Sequence, residues 1–306
     1  MGSFISVGNV IVDLVMRVPR MPEPGGDVIA SGARTVVGGG LNTMVAARRD
    51  GARVVYAGLL GTGVFGDLAR ESLAGNGIQV LQPPVEGIDT GHCFAVVDDT
   101  GERTFMTHVG AEGGLGPAAL ERVRPVAGDT VFVSGYGLVH PSNAVALARW
   151  VPSLPAGVRV ALDVGPLVDS IAPEVLNAVL RRTDVLTTNR REARLMAPSL
   201  KAGEAATEFA RRWSLTAVVR DGDAGCWIAD PGSPAVLVEG FEVTAVDTNG
   251  AGDTHDGVLL AGLMAGRPLV EAARRANAAA AVAVTRPGPA TAPTGEEIDA
   301  FLAACR

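Results

Sequence analysis

The stretch Asp247-Thr248-Asn249-Gly250-Ala251-Gly252-Asp253-Thr254 constrains this chain more than any other. Before it, residues 241–246 alternate and are β-branched, the pattern of a strand. After it, Val258, Leu259, Leu260, Leu263 and Met264 recur at helical spacing until Gly266 and Pro268. A strand that enters a helix through glycines leaves free N–H groups converging at the helix N-terminus, where they carry partial positive charge. Such a turn suits an anion, most often a phosphate, and the glycines let it approach the main chain closely. Asp253 would be only a helix-dipole partner at about 0.3–1 kcal/mol if it merely capped the helix. A carboxylate beside an anion site repels the anion, so a second role fits better: a general base taking the proton of an attacking hydroxyl. The amides before it would then hold the charge on the transferred group, which suits phosphoryl transfer to an alcohol.

This spelling resembles the C-terminal signature of the ribokinase-like (PfkB) carbohydrate kinases, and the resemblance covers nearly the whole chain. It implies Asp253 as the catalytic base and Gly250, Ala251 and Gly252 as the anion hole. It also implies ATP and Mg²⁺ as cofactors and a small-molecule sugar or nucleoside as acceptor. The family usually has an apolar residue where this chain has His255.

Composition narrows the alternatives. The 306 residues are 47% apolar and 19% charged, enough for a large core and unlike a disordered chain. A net charge of −7 argues against a nucleic-acid partner, which would want a basic face. No apolar run reaches the roughly 18 residues of a membrane span. Residues 4–7 begin an apolar strand with no basic leader before them, so the expectation is a cytoplasmic protein. Three cysteines lie far apart, and four histidines show no metal-binding spacing, so neither a disulfide framework nor a histidine metal centre is expected.

Along the chain, residues 4–14 predict one buried strand closing at Asp13. The resemblance makes Asp13 a sugar ligand, for which a carboxylate accepting two hydroxyls is suited; a turn residue is the other reading. Pro- and Gly-broken segments at about 14–37 and 91–109, with short strands at 27–30 and 34–37 and a hairpin at 93–108, resemble the family's β-sheet lid. Such a lid excludes water and often pairs between subunits, which implies a homodimer. Gly38-Gly39-Gly40-Leu41-Asn42 opens a helix over 43–49 and resembles the N-terminal glycine signature, with Gly39, Gly40 and Asn42 on the sugar. A capped loop is equally compatible with those residues.

Gly61-Thr62-Gly63-Val64-Phe65-Gly66 follows the predicted strand 53–59, with Asp89 further on. This supports a rival of another class, an NAD-dependent dehydrogenase. Phe65 fits poorly where the helix must pack closely, and Asp89 leads into a hairpin rather than a βα unit.

From about residue 116 strands and helices alternate. The expected fold is therefore α/β: a single domain over 1–306, a doubly wound and mostly parallel sheet sandwiched by helices, with a small β-sheet lid. Tyr136 ends one strand, to stack on the sugar or a base, or only to pack. Asn189-x-x-Glu192 resembles the family motif that organises Mg²⁺, with Glu192 acting directly or through water; the same spelling also makes a helix capping box. Arg220, Gly222 and Gly225 match a turn near the ATP phosphates, with Arg220 replacing the usual Thr or Lys. Asn277 would border the adenine. Asp247, with nearby carbonyls, is where many members hold K⁺, and Ala292 stands where some of those have Ser. The reading is an ATP-dependent kinase acting on a hydroxymethyl group of a sugar or sugar-like molecule. A nucleoside kinase of the same family, the dehydrogenase on Gly61–Gly66 and a catalytically silent sugar-binding protein are the alternatives.

Overall fold

The computed structural model describes residues 2–305. Among the described residues thirteen strands form two sheets: β1 Ser3–Ser6, β2 Val10–Arg17, β3 Gly32–Gly39, β4 Arg53–Tyr56, β5 Gln79–Val80, β6 His92–Val97, β7 Arg103–His108, β8 Thr130–Ser134, β9 Arg159–Asp163, β10 Val185–Asn189, β11 Thr216–Arg220, β12 Gly225–Ala229 and β13 Val236–Glu239. The large sheet runs in the order β13-β12-β11-β10-β9-β8-β1-β4-β5. It is parallel from β5 to β11, and β12 and β13 are antiparallel additions at one edge. Its central strands read Thr-Val-Phe-Val-Ser and Arg-Val-Ala-Leu-Asp and are almost wholly buried, as strands covered by helices on both faces must be. The order reverses at β1, so the strand ends between β1 and β8 open the crevice where sheets of this kind bind ligands.

The apolar run at 4–14 does not form one strand. It divides at Gly8-Asn9 into β1, in the large sheet, and β2, in a four-stranded sheet of order β3-β2-β6-β7. Asp13 accordingly lies inside a lid strand rather than at the end of a main-sheet strand. Paired residues share a face, so Asp13, Val15, Arg34, Cys93, Ala95, Phe105 and Arg103 stand on one side of the lid, and Leu14, Met16, Phe94, Val96 and Met106 on the other. The expected strand at 27–30 has no regular structure. Residues 241–246, also read as a strand, are not one either: the chain passes there as an irregular segment tied to the body when Val246 donates to Val284 O at 2.7 Å.

Helix Ala251–Met264 packs between helices Leu41–Arg49 and Leu269–Val284. A Cβ at Gly257 would fall 2.3 Å from Thr43 O, so only glycine lets these first two helices approach so closely. Gly257 is one turn after Asp253, and the close approach brings Asp253 to the start of the neighbouring helix. No helix is long and apolar enough to cross a membrane among the described residues.

Candidate active site

Asp253 lies in the first turn of its helix, whose N-cap Gly250 is left-handed at φ +76°. Its Oδ2 accepts a hydrogen bond from Asn42 Nδ2 at 3.1 Å and its Oδ1 one from Thr43 Oγ1 at 3.0 Å. The two glycine signatures, 211 residues apart, are thus joined at one carboxylate. Burial, with the nearby charge of Asp256, outweighs these donors and Arg220 and holds Asp253 above the usual carboxylate range. Asn42 Oδ1 is buried with no donor, an acceptor left over beside the base. Asp13 lies on the same side: its carboxyl is raised to about 6 by burial and then by the charge of Asp253. A Cβ on Gly38 would fall 2.3 Å from Asp13 Oδ2, so the glycine run leaves that carboxylate its place. Gly39 and Gly40 continue the run, with Gly40 N–H bonded to Asn9 O. Tyr136, half exposed, overlooks this side, and burial together with Asp253 and other acids pushes its hydroxyl up to about 12.

On the other side of the turn lies a cleft of about 480 Å³ lined by Asn189, Arg220, Gly222, Gly225, Ala251, Gly252, His255 and Asn277, among others. Gly250 abuts Asn42, whose Nδ2 lies 3.5 Å from where a Cβ would start, while Gly252 abuts the Arg220 guanidinium at 3.6 Å in the same sense. The turn therefore lies between Asn42 on one side and the cleft on the other. The amides of Gly252 and Asp253 meet no acceptor among the described residues.

Arg220 does not point freely at an anion. It is bonded to Asp256, donates to Asp163 Oδ1 at 3.2 Å and lies 3.8 Å from Glu192 Oε2. Thr187 Oγ1 adds a bond to Asp256 Oδ2 at 2.9 Å. Burial and the neighbouring carboxylates raise Asp163 well above its ordinary value despite Arg220, and burial likewise raises Glu192. His255 Nε2 lies 3.2 Å from Asn277 Oδ1, and Asn277 gives its amide hydrogens to Val238 O and Glu239 O. Asn277 can therefore only accept from the ring, so Nε2 carries the proton. Burial opposes a charged ring, but the Asp256 carboxylate and Cys226 outweigh it and raise His255 to about 9. The Nδ1–Asp256 separation of 3.7 Å makes that contact one of charge rather than a hydrogen bond.

Asn189 and Glu192 form the capping box: Asn189 N–H and Nδ2 donate to the two Glu192 oxygens at 2.8 and 2.7 Å, and Glu192 N–H donates back to Asn189 Oδ1. Glu192 is buried and does not line the cleft, whereas Asn189 does. Asp247 turns to the lid instead of the cleft, accepting from Arg103 Nη2 at 2.6 Å.

The Gly61–Gly66 turn is filled from within. Asp89 accepts from Phe65 N–H at 3.1 Å and from Gly66 N–H at 2.7 Å, which is where a dinucleotide phosphate would have to sit.

The sequence matches the family description "pfkB family carbohydrate kinase" over residues 1–295. The chain belongs to the PfkB family of carbohydrate kinases. It is 32% identical to an uncharacterised sugar kinase of Escherichia coli (strain K12), YegV, over 97% of this chain and 92% of that one. It is also 32% identical to an ATP-dependent ribose-1-phosphate kinase of Halopiger xanaduensis, with 97% of each chain covered. The structure of Arabidopsis thaliana ribokinase complexed with ribose and ATP superposes with a TM-score of 0.81 over 98% of each chain, at 22% identity. The fold is that of the ribokinases, and the protein is a carbohydrate kinase rather than a dehydrogenase.

Two side chains that act on Asp253, Thr43 and Asp256, lay outside the sequence reading. Thr43 is next to Asn42 in the first helical turn, so its contact with Asp253 follows once those two helices are known to touch. Asp256 stands three residues after Asp253, a spacing that shares a helix face and was a usable signal.

Proposed function

We propose that this kinase transfers the γ-phosphoryl group of ATP to a hydroxymethyl group of a small sugar bound under the lid. The observation that carries the reading is Asp253 held by Asn42 and Thr43 on one side of the Gly250–Gly252 turn, with the cleft on the other. Asp13 and Asn42, with its unpartnered Oδ1, accept the sugar hydroxyls. Asp253 takes the proton from the attacking hydroxyl, and the free amides at Gly252 and Asp253 stabilise the charge on the transferring group. The nucleotide occupies the cleft, its phosphates toward Gly252 and Arg220 and its base toward Asn277 and Val284. Gly222 and Gly225 let the chain turn closely around it.

Among the described residues no group of three or more acidic, His or Cys side chains is arranged to hold a metal. Mg²⁺ fits as an ion carried by the ATP phosphates beside Asn189, which lines the cleft; Glu192, buried behind it with both oxygens accepting from Asn189, would act through water rather than as a direct ligand. Bound there, it would neutralise phosphate charge. Arg34 and Arg103, the lid cations best placed to bind a phosphorylated acceptor, are turned to Asp247. That favours an unphosphorylated sugar. The outward face of the lid exposes Phe94 (37%) and Met106 (56%) beside Met16, which supports a homodimer through the lid; sedimentation of a Met106→Glu variant as a monomer would agree with it.

The test is ADP release from Mg-ATP across sugars, ribose 1-phosphate, sugar acids and nucleosides, with Asp253→Asn as the blank. A sugar-dependent signal absent from the variant supports the reading. Equal turnover by the variant removes the base from Asp253.

A further inference from the structure

The family resemblance implies a monovalent cation at Asp247, and the side chains present do not fit one. Asp247 Oδ1 accepts from Arg103 Nη2 at 2.6 Å and from Asn249 N–H at 3.0 Å. Oδ2 accepts from Gly288 N–H at 3.1 Å, and Arg34 Nη2 lies 3.9 Å from it. Val284 O, a carbonyl at the same place, is already shared by the amides of Val246 and Asp247 at 2.7 and 3.1 Å. A cation ligated by Asp247 would need oxygens that are already engaged and would sit beside two guanidinium groups of its own sign.

Both arginines come from the lid. Register puts Arg34, opposite Val15 in β2, and Arg103, opposite Val97 in β6, on the face that carries Asp13. Asp247 lies three residues before Gly250, the N-cap of the helix that carries Asp253. The contact therefore links the sheet that covers the sugar to the turn that meets the phosphate.

We propose that Arg103, assisted by Arg34, takes the place of the monovalent cation at Asp247, so that lid closure itself delivers the positive charge that orders the Gly250–Gly252 turn. Arg103 is then a positioning residue. A sugar that closes the lid readies the anion hole, and the kinase needs no potassium. This rests on the reading of Gly250–Gly252 as the anion hole.

The test compares the wild-type protein, Arg103→Gln and Arg103→Lys in KCl and in tetramethylammonium chloride at equal ionic strength, by thermal unfolding and by sugar-dependent ADP release. The wild type should unfold at the same temperature and turn over at the same rate in both salts. Arg103→Gln should lose about tenfold or more in kcat, as expected when a charge-assisted hydrogen bond is removed. Its activity should recover with K⁺ or with millimolar guanidinium ion, and Arg103→Lys should keep part of it in either salt. A purely structural arginine would show neither rescue. A saturable stabilisation of the wild type by K⁺, lost in Asp247→Asn, would overturn the proposal, and that readout holds even if no sugar tested is an acceptor. An Arg103→Gln variant that folds but answers to neither K⁺ nor guanidinium would overturn it as well.

Discussion

Of the glycine-rich turns that open helices in this protein, Gly61–Gly66 at the start of Val64–Gly75 and Gly250–Gly252 at the start of Ala251–Met264 end differently. In the first, Asp89 reaches back from 23 residues downstream and accepts from the Gly66 N–H at 2.7 Å. A Cβ on Gly63 would lie 2.5 Å from that carboxylate. In the second, the amides of Gly252 and Asp253 have no internal acceptor, and the carboxylate on the turn looks away from them toward Asn42 and Thr43. A glycine turn before a helix announces that negative charge will sit there; it does not say whose. Where the chain supplies its own, the turn is scaffold. Where it withholds it, the turn is free for a ligand.

The comparison can be broken most severely at Asp253. Asp253→Asn should leave fold and nucleotide binding intact and reduce kcat by about 10²–10⁴, the loss expected of a general base. If Asp253 is the base, the same residue should set a pH dependence. Only its ionised form can take a proton, and its pKa is raised by burial, so kcat should fall on acidification at a higher pH than an ordinary carboxylate would give. A pH–rate profile whose acid limb falls at the ordinary Asp value would contradict the assignment.

Next in size is Arg220→Met. It would strand Asp256, Asp163 and Glu192 without their buried counter-charge behind the open turn. A loss of about 3–5 kcal/mol in denaturant unfolding is expected, as when one partner of a buried ion pair is removed. Asp89→Ala empties the filled turn. It should cost about 0.5–2 kcal/mol, the range for losing a helix cap, while kcat stays within about twofold. A large loss of activity there would mean that the first turn also serves the reaction.

The smallest effect should come from Asp13→Asn. Because the folded pKa is raised to about 6, this group favours folding below its ordinary value of 3.8 and loses that contribution as pH rises through about 6. At neutral pH the ionised Asp13 faces Asp253 at a cost. The variant should therefore melt about 2 °C higher at pH 7.5, a shift of order 1 kcal/mol, with no difference near pH 3. Its KM for sugar should rise at the same time.

The α/β alternation after residue 116 and the glycine turn that opens the helix carrying Asp253 were legible in the sequence, because helical and strand periodicity are local signals. What crosses between elements was not. Residues 4–14 are mostly apolar, and Gly8-Asn9 is too short an interruption to show that the chain leaves one sheet there and joins another. Residues 241–246 alternate like a strand, yet the sheet already ends at β13, so their pattern serves the cleft wall instead. The sequence offers Arg220 as a cation for the ATP phosphates, but not its place in a buried charge cluster. Its three carboxylate neighbours come from β9, helix Arg190–Met196 and helix Ala251–Met264, and no spacing brings those together. Asp247 shows the same limit: the motif offers it to a cation, and only the folded lid shows an arginine already there.

The most direct measurement is the backbone amide spectrum of the isotope-labelled protein, titrated with a non-hydrolysable ATP analogue and Mg²⁺ in the presence of acceptor sugar. The resonances of Gly252 and Asp253 should shift on binding, while those of Phe65 and Gly66, already bonded to Asp89, should stay in place. Movement of Phe65 and Gly66 with Gly252 and Asp253 unchanged would contradict the account.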